Sequence, residues 1–228
     1  MSAQPAQREA AADLAIVLAT IAAAWILTRW VIYPALSIPD YAPYILRPIG
    51  GFLAAWAVLR WRRQSWSALG LRQPASWVRV IVAAVALYLA MLAISQWVVP
   101  FVAQIVHPTQ RPSFLGNLPG NFPALLAWLA VSWLVGGLCE ELLFRGFLLD
   151  RVARLLGGGA LALALGAVAQ ALLFGTLHLY AGSFAFIYAS LFAVTQAAFF
   201  LAGGRNLWPL ILVHGAWDSV AMWGLYGG

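Results

Sequence analysis

Charged residues are scarce in this 228-residue sequence, and lysine is absent from it. Only 9% of the residues are charged, whereas 64% are hydrophobic, and all 13 basic residues are arginine. A soluble domain typically contains about 25% charged residues, so this chain has too few charges to cover a surface that faces water. The composition excludes a soluble enzyme and a disordered tail, and it predicts an all-α, polytopic bundle of transmembrane helices.

The sequence has a single cysteine, Cys139, which excludes an internal disulfide and with it a disulfide-rich secreted scaffold. The net charge of +6 comes from arginines that lie between apolar runs. That placement is typical of membrane-topology signals rather than of a nucleic-acid-binding face, so we expect the lipid bilayer and no nucleic acid as a partner. The lysine-free, alanine-rich composition favours a GC-rich bacterial genome, and we predict a multi-pass protein of a bacterial cytoplasmic membrane.

Seven apolar runs are long enough to cross a bilayer, which takes about 20 helical residues. They cover residues 14–33, 45–61, 77–99, 122–149, 160–179, 184–202 and 207–225. Short loops join them, so about seven spans, between six and eight, form one integrated membrane domain. Within it we expect residues 1–121 to supply N-terminal transmembrane helices and loops, and residues 122–228 to form the core that carries the chemistry.

Arginines are distributed unevenly between the two sides of the predicted bundle. If the spans alternate, the larger group consists of Arg60, Arg62, Arg63, Arg72, Arg79, Arg151, Arg154 and Arg205, and the opposite side carries Arg29, Arg47 and Arg111. Because arginine is enriched in cytoplasmic loops, this excess predicts a cytoplasmic N-terminus and a C-terminus on the opposite side.

Six ionisable side chains fall within the apolar runs of the second half of the chain, namely Glu140, Glu141, Arg145, His178, His214 and Asp218. A charge near the bilayer centre costs at least about 2.5–3.5 kcal/mol, so each is a candidate for a functional role. On a helix, Glu141 and Arg145 share a face and can neutralise each other, whereas Glu140 points elsewhere. We expect a structural Glu141 and a Glu140 that is free to act as a general base. The alternative is an ion network that only fixes helix packing.

The two histidines also belong to helical motifs. His178 ends an apolar run with Phe174 one turn before it, and His214 shares a helical face with Asp218. Gly215 beside His214 allows a substrate or a neighbouring helix to approach closely. Each motif alone is also compatible with simple packing between helices. Their occurrence on three apolar helices favours a functional site inside the bundle.

These three motifs, in this order, resemble the signature of the CPBP family of intramembrane proteases, which includes the CAAX prenyl endopeptidases and bacteriocin-processing-like relatives. The family pattern is two adjacent glutamates followed by x-x-x-R, then F-x-x-x-H, then H-x-x-x-N or D. In this sequence the pattern is met by Glu140-Glu141 to Arg145, by Phe174 to His178, and by His214 to Asp218. The resemblance spans roughly residues 122–225 and implies an endopeptidase that cleaves membrane-associated peptide or protein substrates.

The resemblance also implies a role for each residue. Glu140 and His178 would activate a water for attack on the scissile carbonyl, and His214 and Asp218 would stabilise the oxyanion or position the water. The supporting residues would be Glu141, Arg145 and Phe174. An asparagine at the last position would donate a hydrogen bond, whereas an ionised Asp218 would repel an oxyanion. We therefore expect Asp218 to orient His214.

Glu140, His178 and His214 are also a possible set of ligands for a catalytic zinc ion. The H-E-x-x-H signature of zinc proteases is absent from the sequence, so we favour a glutamate-type hydrolase without a metal cofactor. Two further hypotheses stay open. One is a non-catalytic membrane scaffold or immunity factor on the same fold, and the other is a proton-coupled carrier, although carriers usually show repeated halves.

Helix arithmetic places the two histidines of these motifs at different depths. His178 would lie ~27 Å along the fifth span, and His214 would lie ~10 Å along the parallel seventh span. We therefore expect either a fifth span that begins deeper, near Gly166, or a sixth span that is short or partly re-entrant.

Overall fold

The computed structural model describes residues 3–36, 39, 41–108 and 115–228, and within these ranges it contains helices and no strand. Seven long helices follow one another and are named α1 to α7. They comprise residues 3–36 (α1), Ala42–Trp61 (α2), Trp77–Ile105 (α3), Phe122–Leu155 (α4), Gly159–Thr176 (α5), Gly182–Ala202 (α6) and Trp208–Gly227 (α7). The predicted all-α bundle of about seven spans is confirmed.

Six of the helices, α1 to α6, are long and apolar enough to cross a membrane. The remaining helix, α7, has 20 residues, but it carries His214, Asp218 and three tryptophans. These polar and amphipathic side chains lower its mean hydropathy. The polar groups that set α7 apart are the same groups that make it a candidate for the functional site.

Two prolines that we expect to end helices instead lie inside them. Pro34 follows a π-helical segment, Leu27–Ile32, and Pro100 follows another, Ile94–Val98. Proline has no N–H, and its ring clashes with the carbonyl four residues earlier in an α-helix. Because a π-helical turn shifts the hydrogen-bond spacing by one residue, it accommodates the proline, and the helices continue to residues 36 and 105.

The helices pack around α4, which contacts α1, α2, α5 and α7. Its fully buried side chains include Phe144 and Phe147, whereas large apolar side chains on other helices, such as Trp97 and Leu161, are more than two-thirds exposed. An apolar outer surface of this kind is unfavourable in water and suits the hydrocarbon of a bilayer. The protein is therefore an integral membrane protein with α4 at its centre.

The middle of α4 is π-helical over Ser132–Glu140 and Leu142–Leu148. A π-helix is rare, and short π segments frequently occur at functional sites. The expectation that Glu140 points away from the face of Glu141 and Arg145 rests on α-helical geometry, which this segment does not have. The directions of the two carboxylates are set by the wider winding of the helix and by their contacts.

Buried ion pairs join α1, α2 and α4 at one end of the bundle. Asp13 accepts hydrogen bonds from Nε of Arg62 at 3.0 Å and from Nε of Arg151 at 2.9 Å. Asp150 accepts hydrogen bonds from three arginines, which are Arg151, Arg154 and Arg205. Four arginines that the sequence assigns to the arginine-rich side therefore lie together at this end.

Candidate active site

A cavity of about 340 Å³ lies between α2, α4, α6, α7 and the end of α5. Five of the seven predicted site residues line it, namely Glu140, Phe174, His178, His214 and Asp218. The other two, Glu141 and Arg145, have no exposed side-chain surface and lie behind the cavity wall. The seven residues are thus assembled around one cavity, although they come from positions almost 80 residues apart.

The imidazole of His214 is held between three carboxylates. Its Nδ1 donates to Oε1 of Glu141 at 2.6 Å. Its Nε2 lies 3.8 Å from Oε2 of Glu140 and 3.6 Å from Oδ2 of Asp218. Glu141 therefore accepts the hydrogen bond at Nδ1, whereas Asp218 contacts the opposite nitrogen, Nε2. That Asp218 orients His214 stays a prediction.

Glu141 is the buried centre of this arrangement. Its Oε1 lies 3.1 Å from Nη1 of Arg145, so the predicted ion pair within α4 is confirmed. The same oxygen accepts a hydrogen bond from Nε2 of Gln196 on α6 at 3.2 Å. The guanidinium carbon of Arg145 lies 4.8 Å from the centre of the Phe174 ring, a distance at which a cation is attracted to an aromatic face. Glu141 thus connects α4, α6 and α7.

His178 follows the last turn of α5 and precedes the short Leu179–Ala181 turn. Its Nδ1 donates to the carbonyl of Phe174 at 2.9 Å, because a carbonyl can only accept. The Phe174 ring centre lies 4.8 Å from that of His178 and 6.2 Å from that of His214. The aromatic ring therefore separates the two imidazoles along the cavity wall, while Nε2 of His178 is not used by the backbone bond.

His178 and His214, which helix arithmetic places at different depths, line the same cavity. Neither of the two expected changes, in the fifth or the sixth span, is present. The fifth helix begins at Gly159, not near Gly166, and α6 is a complete helix of 21 residues. The cavity is lined along α7 from His214 to Met222, a distance of about 12 Å along the helix axis. The cavity is therefore long enough for both histidines to line it, although α5 does not begin deeper and α6 is a full-length helix.

Arg47 is a site residue that the sequence interpretation misses. We expect it in the topology-determining group on the less basic side, together with Arg111, which lies outside the described residues. Arg47 instead lies in α2, is only 9% exposed, and lines the cavity. Its Nη2 donates to the carbonyl of Leu177 at 2.5 Å, next to His178. Because Arg47 falls within the predicted span 45–61, the rule that intramembrane charges are functional could have identified it.

Glycines permit the close contact between α4 and α7. A Cβ at Gly215 would lie 2.6 Å from the Trp133 ring, and a Cβ at Gly137 would lie 3.0 Å from the carbonyl of Ile211. Gly215 therefore serves the approach of a neighbouring helix, which is one of the two roles that its small size predicts. This close contact brings His214 to the carboxylates of α4.

The predicted zinc ligands do not form a metal-binding group in this arrangement. Among residues 3–36, 39, 41–108 and 115–228, no three His, Cys, Asp or Glu side chains are placed to hold a metal ion. Glu140, His178 and His214 share the cavity, and the two histidines use Nδ1 for hydrogen bonds to Glu141 and to a backbone carbonyl. These bonds suit a zinc ligand as well as a metal-free site, because a metal-bound histidine commonly donates its other N–H to a carboxylate or a carbonyl.

Comparison with known proteins gives a match in the second half of the chain. Residues 122–220 match the family model described as Rce1-like type II CAAX prenyl endopeptidase. Neither a curated protein nor a solved structure matches the chain. The matched segment begins with α4 and contains all seven predicted site residues. The segment of residues 122–220 is therefore similar to the Rce1-like type II CAAX prenyl endopeptidases.

Proposed function

We propose that this protein is an intramembrane endopeptidase that hydrolyses peptide bonds of membrane-associated proteins or peptides, using a water activated by Glu140 and His178. The observation that carries the proposal is the lining of one cavity by a carboxylate of α4 and by the imidazoles of His178 and His214. The match of residues 122–220 to a family of endopeptidases supports it.

Glu140 acts as the general base in the proposed mechanism. Its side chain is 16% exposed, towards the cavity, and it makes no ion pair shorter than 3.8 Å among the described residues. It accepts a proton from the water, whose oxygen attacks the scissile carbonyl carbon, and the carbonyl oxygen becomes an oxyanion. The same proton passes to the amine nitrogen as the C–N bond breaks. His178 positions the water through Nε2, since its Nδ1 is engaged by Phe174.

His214 stabilises the oxyanion in this mechanism. As an imidazolium it donates from Nε2, while Glu141 accepts from Nδ1, orients the ring and compensates its charge. Glu140 and Asp218 lie 3.8 and 3.6 Å from Nε2, beyond direct hydrogen-bond distance, and in this mechanism a water bridges them to the ring. Asp218 therefore helps to position the water on the side of the cavity that faces α7.

The decisive experiment uses purified protein in phosphatidylcholine vesicles, with two fluorogenic peptides that end in the same CAAX-type sequence, one of them prenylated. We expect cleavage of the prenylated peptide, and we expect His178→Ala to slow it by about 100-fold or more because one partner of the reacting water is lost. His107→Ala, at an exposed histidine outside the cavity, is the matched control. Absence of cleavage by the wild type, or full activity of His178→Ala, contradicts the proposal.

We further propose that the reaction proceeds without a metal cofactor, with zinc bound by Glu140, His178 and His214 as the alternative. Dialysis against a chelator is then expected to leave the cleavage rate unchanged. Loss of cleavage on dialysis, followed by recovery on addition of Zn²⁺, would identify the zinc-dependent alternative.

The narrow space beside His214 gives a second test of the proposed geometry. A Cβ at Gly136 would lie 2.9 Å from Oδ2 of Asp218 and 3.3 Å from Nε2 of His214. We expect Gly136→Ala to displace both groups by a few tenths of an ångström and to lower the cleavage rate by about 10-fold, less than the effect of a 1 Å misplacement. The melting temperature should change little, because alanine favours the helix.

Gly224→Ala is the matched control for Gly136→Ala, because a Cβ at this position of α7 meets no atom within 4 Å. Cleavage rates and melting temperatures of the two variants are measured side by side. Equal activity of Gly136→Ala and the wild type would show that the reacting water does not lie between α4, His214 and Asp218.

A further inference from the structure

A second cavity, of about 400 Å³, lies on the arginine-rich end of the bundle and is separate from the candidate active site. It is formed by the starts of α3 and α7, the end of α6, and the segment that precedes α3. Its polar lining consists of Arg72, Gln73, Ser76, Arg79 and Asn206, and its apolar lining includes Val80, Ala83, Phe199, Pro209 and Leu210. A lining that combines cationic and amide groups with apolar groups matches the two parts of an amphiphile.

The two arginines of this cavity carry charge that no carboxylate compensates. No acidic residue lines the cavity. Arg72 donates from Nη2 to the carbonyl of Gly204 at 2.8 Å, which leaves its positive charge unpaired. Arg79 forms no ion pair within the described part of the chain. By contrast, the neighbouring Arg205 pairs with Asp150 at 3.0 Å. An anion is therefore the missing partner of Arg72 and Arg79.

Tryptophans place the cavity at the level of lipid headgroups. Trp77, the first residue of α3, is 51% exposed, and its ring centre lies 5.4 Å from that of Trp208, the first residue of α7. The indole N–H of Trp208 donates to the carbonyl of Arg72 at 3.1 Å. Tryptophan is enriched at membrane–water interfaces. Both arginines thus lie beside an aromatic pair that is typical of the interface, where phosphate groups of lipids are found.

We propose that this cavity binds the headgroup of an anionic phospholipid, with the phosphate held by Arg72 and Arg79 and the start of an acyl chain against Val80, Phe199 and Leu210. The site lies on the side of the bundle that the arginine distribution predicts to be cytoplasmic. Anionic lipids are concentrated in the cytoplasmic leaflet, and basic pockets between transmembrane helices on that side bind such headgroups.

The test measures the melting temperature of the purified protein in detergent during titration with dioleoylphosphatidylglycerol or dioleoylphosphatidylcholine. We expect only the anionic lipid to raise the melting temperature at low concentration. For Arg72→Gln/Arg79→Gln, we expect an apparent affinity lower by about 30-fold, on the scale of two interfacial arginine contacts. The charge-retaining variant Arg72→Lys/Arg79→Lys should keep most of the effect.

The matched control is Arg60→Gln/Arg63→Gln, which removes two exposed arginines on the same side but outside the cavity and should bind the lipid as the wild type does. Glycerol 3-phosphate and inorganic phosphate form a further arm. A shift with these soluble anions equal to that with the lipid would identify a soluble phosphate ligand instead. Equal shifts with the two lipids, or wild-type affinity of Arg72→Gln/Arg79→Gln, would overturn the proposal.

Discussion

Glu140→Gln is expected to lower the rate of peptide cleavage by about 100- to 10,000-fold, the range that a general base contributes, while the free energy of unfolding stays the same or rises. The amide has nearly the shape of the carboxylate but cannot accept the proton of the attacking water. Glu140 lies 3.8 Å from the imidazole of His214, beyond hydrogen-bond distance, so neutralising it breaks no hydrogen bond of a buried cation. Cleavage kinetics and thermal unfolding in detergent measure the two effects.

The control for Glu140→Gln is Glu9→Gln, which removes a carboxylate that is 62% exposed and lies 3.6 Å from Arg62. This variant should cleave as fast as the wild type. The same pair of variants separates catalysis from a scaffold role in cells. If Glu140→Gln is expressed normally and keeps the full cellular phenotype, the protein acts without hydrolysis and the proposed function is wrong.

The ionisable residues of the site are predictable from the sequence because charges within apolar runs are costly and therefore rare. That argument locates Glu140, Glu141 and Arg145, and it applies equally to Arg47, which falls within the predicted span 45–61 and is buried. Gln196, which donates to Glu141, is harder to identify as a site residue from the sequence. An uncharged amide costs less to bury than an ion, so its presence in an apolar run is less unusual.

The partners of these residues are less predictable than their presence. The hydrogen bond between Glu141 and His214 joins residues 73 positions apart, and it depends on the close packing of α4 on α7 at Gly137 and Gly215. The spacing of four residues within α7 predicts only the other contact of His214, with Asp218 at 3.6 Å. The helical register identifies neighbours within one helix, whereas contacts between helices depend on packing that sequence spacing does not encode.

The ends of the helices are also less predictable from the sequence than their presence. Pro34 and Pro100 are strong signals for helix ends in α-helical geometry, yet π-helical segments let both helices continue. The π-helical middle of α4 is likewise not visible in the sequence pattern, although it carries Glu140. Local helix winding follows from tertiary packing, so it could not be read from hydropathy.

Glu141→Gln is expected to lower the free energy of unfolding, whereas Glu140→Gln leaves it unchanged or raises it. Glu141→Gln should also abolish cleavage. Arg145, which is fully buried and lies 3.1 Å from Glu141, would lose its charge partner, and an uncompensated buried charge costs about 3–5 kcal/mol. His214 would keep at most a neutral acceptor at Nδ1, and neutralising the carboxylate that orients a catalytic histidine lowers turnover by about 10,000-fold. Thermal unfolding and cleavage rates measure these losses.

The double variant Glu141→Gln/Arg145→Met separates the two losses. Methionine removes the unpaired guanidinium and fills the space against Phe174 and Phe192, which Arg145 contacts in the native protein. Replacing a buried ion pair by groups of similar volume is often neutral for stability, so we expect the melting temperature to return close to that of the wild type. Cleavage should remain lost, because the double variant does not restore the carboxylate at Nδ1 of His214. Recovery of activity together with stability would mean that Glu141 only fixes helix packing and does not position His214 for the reaction.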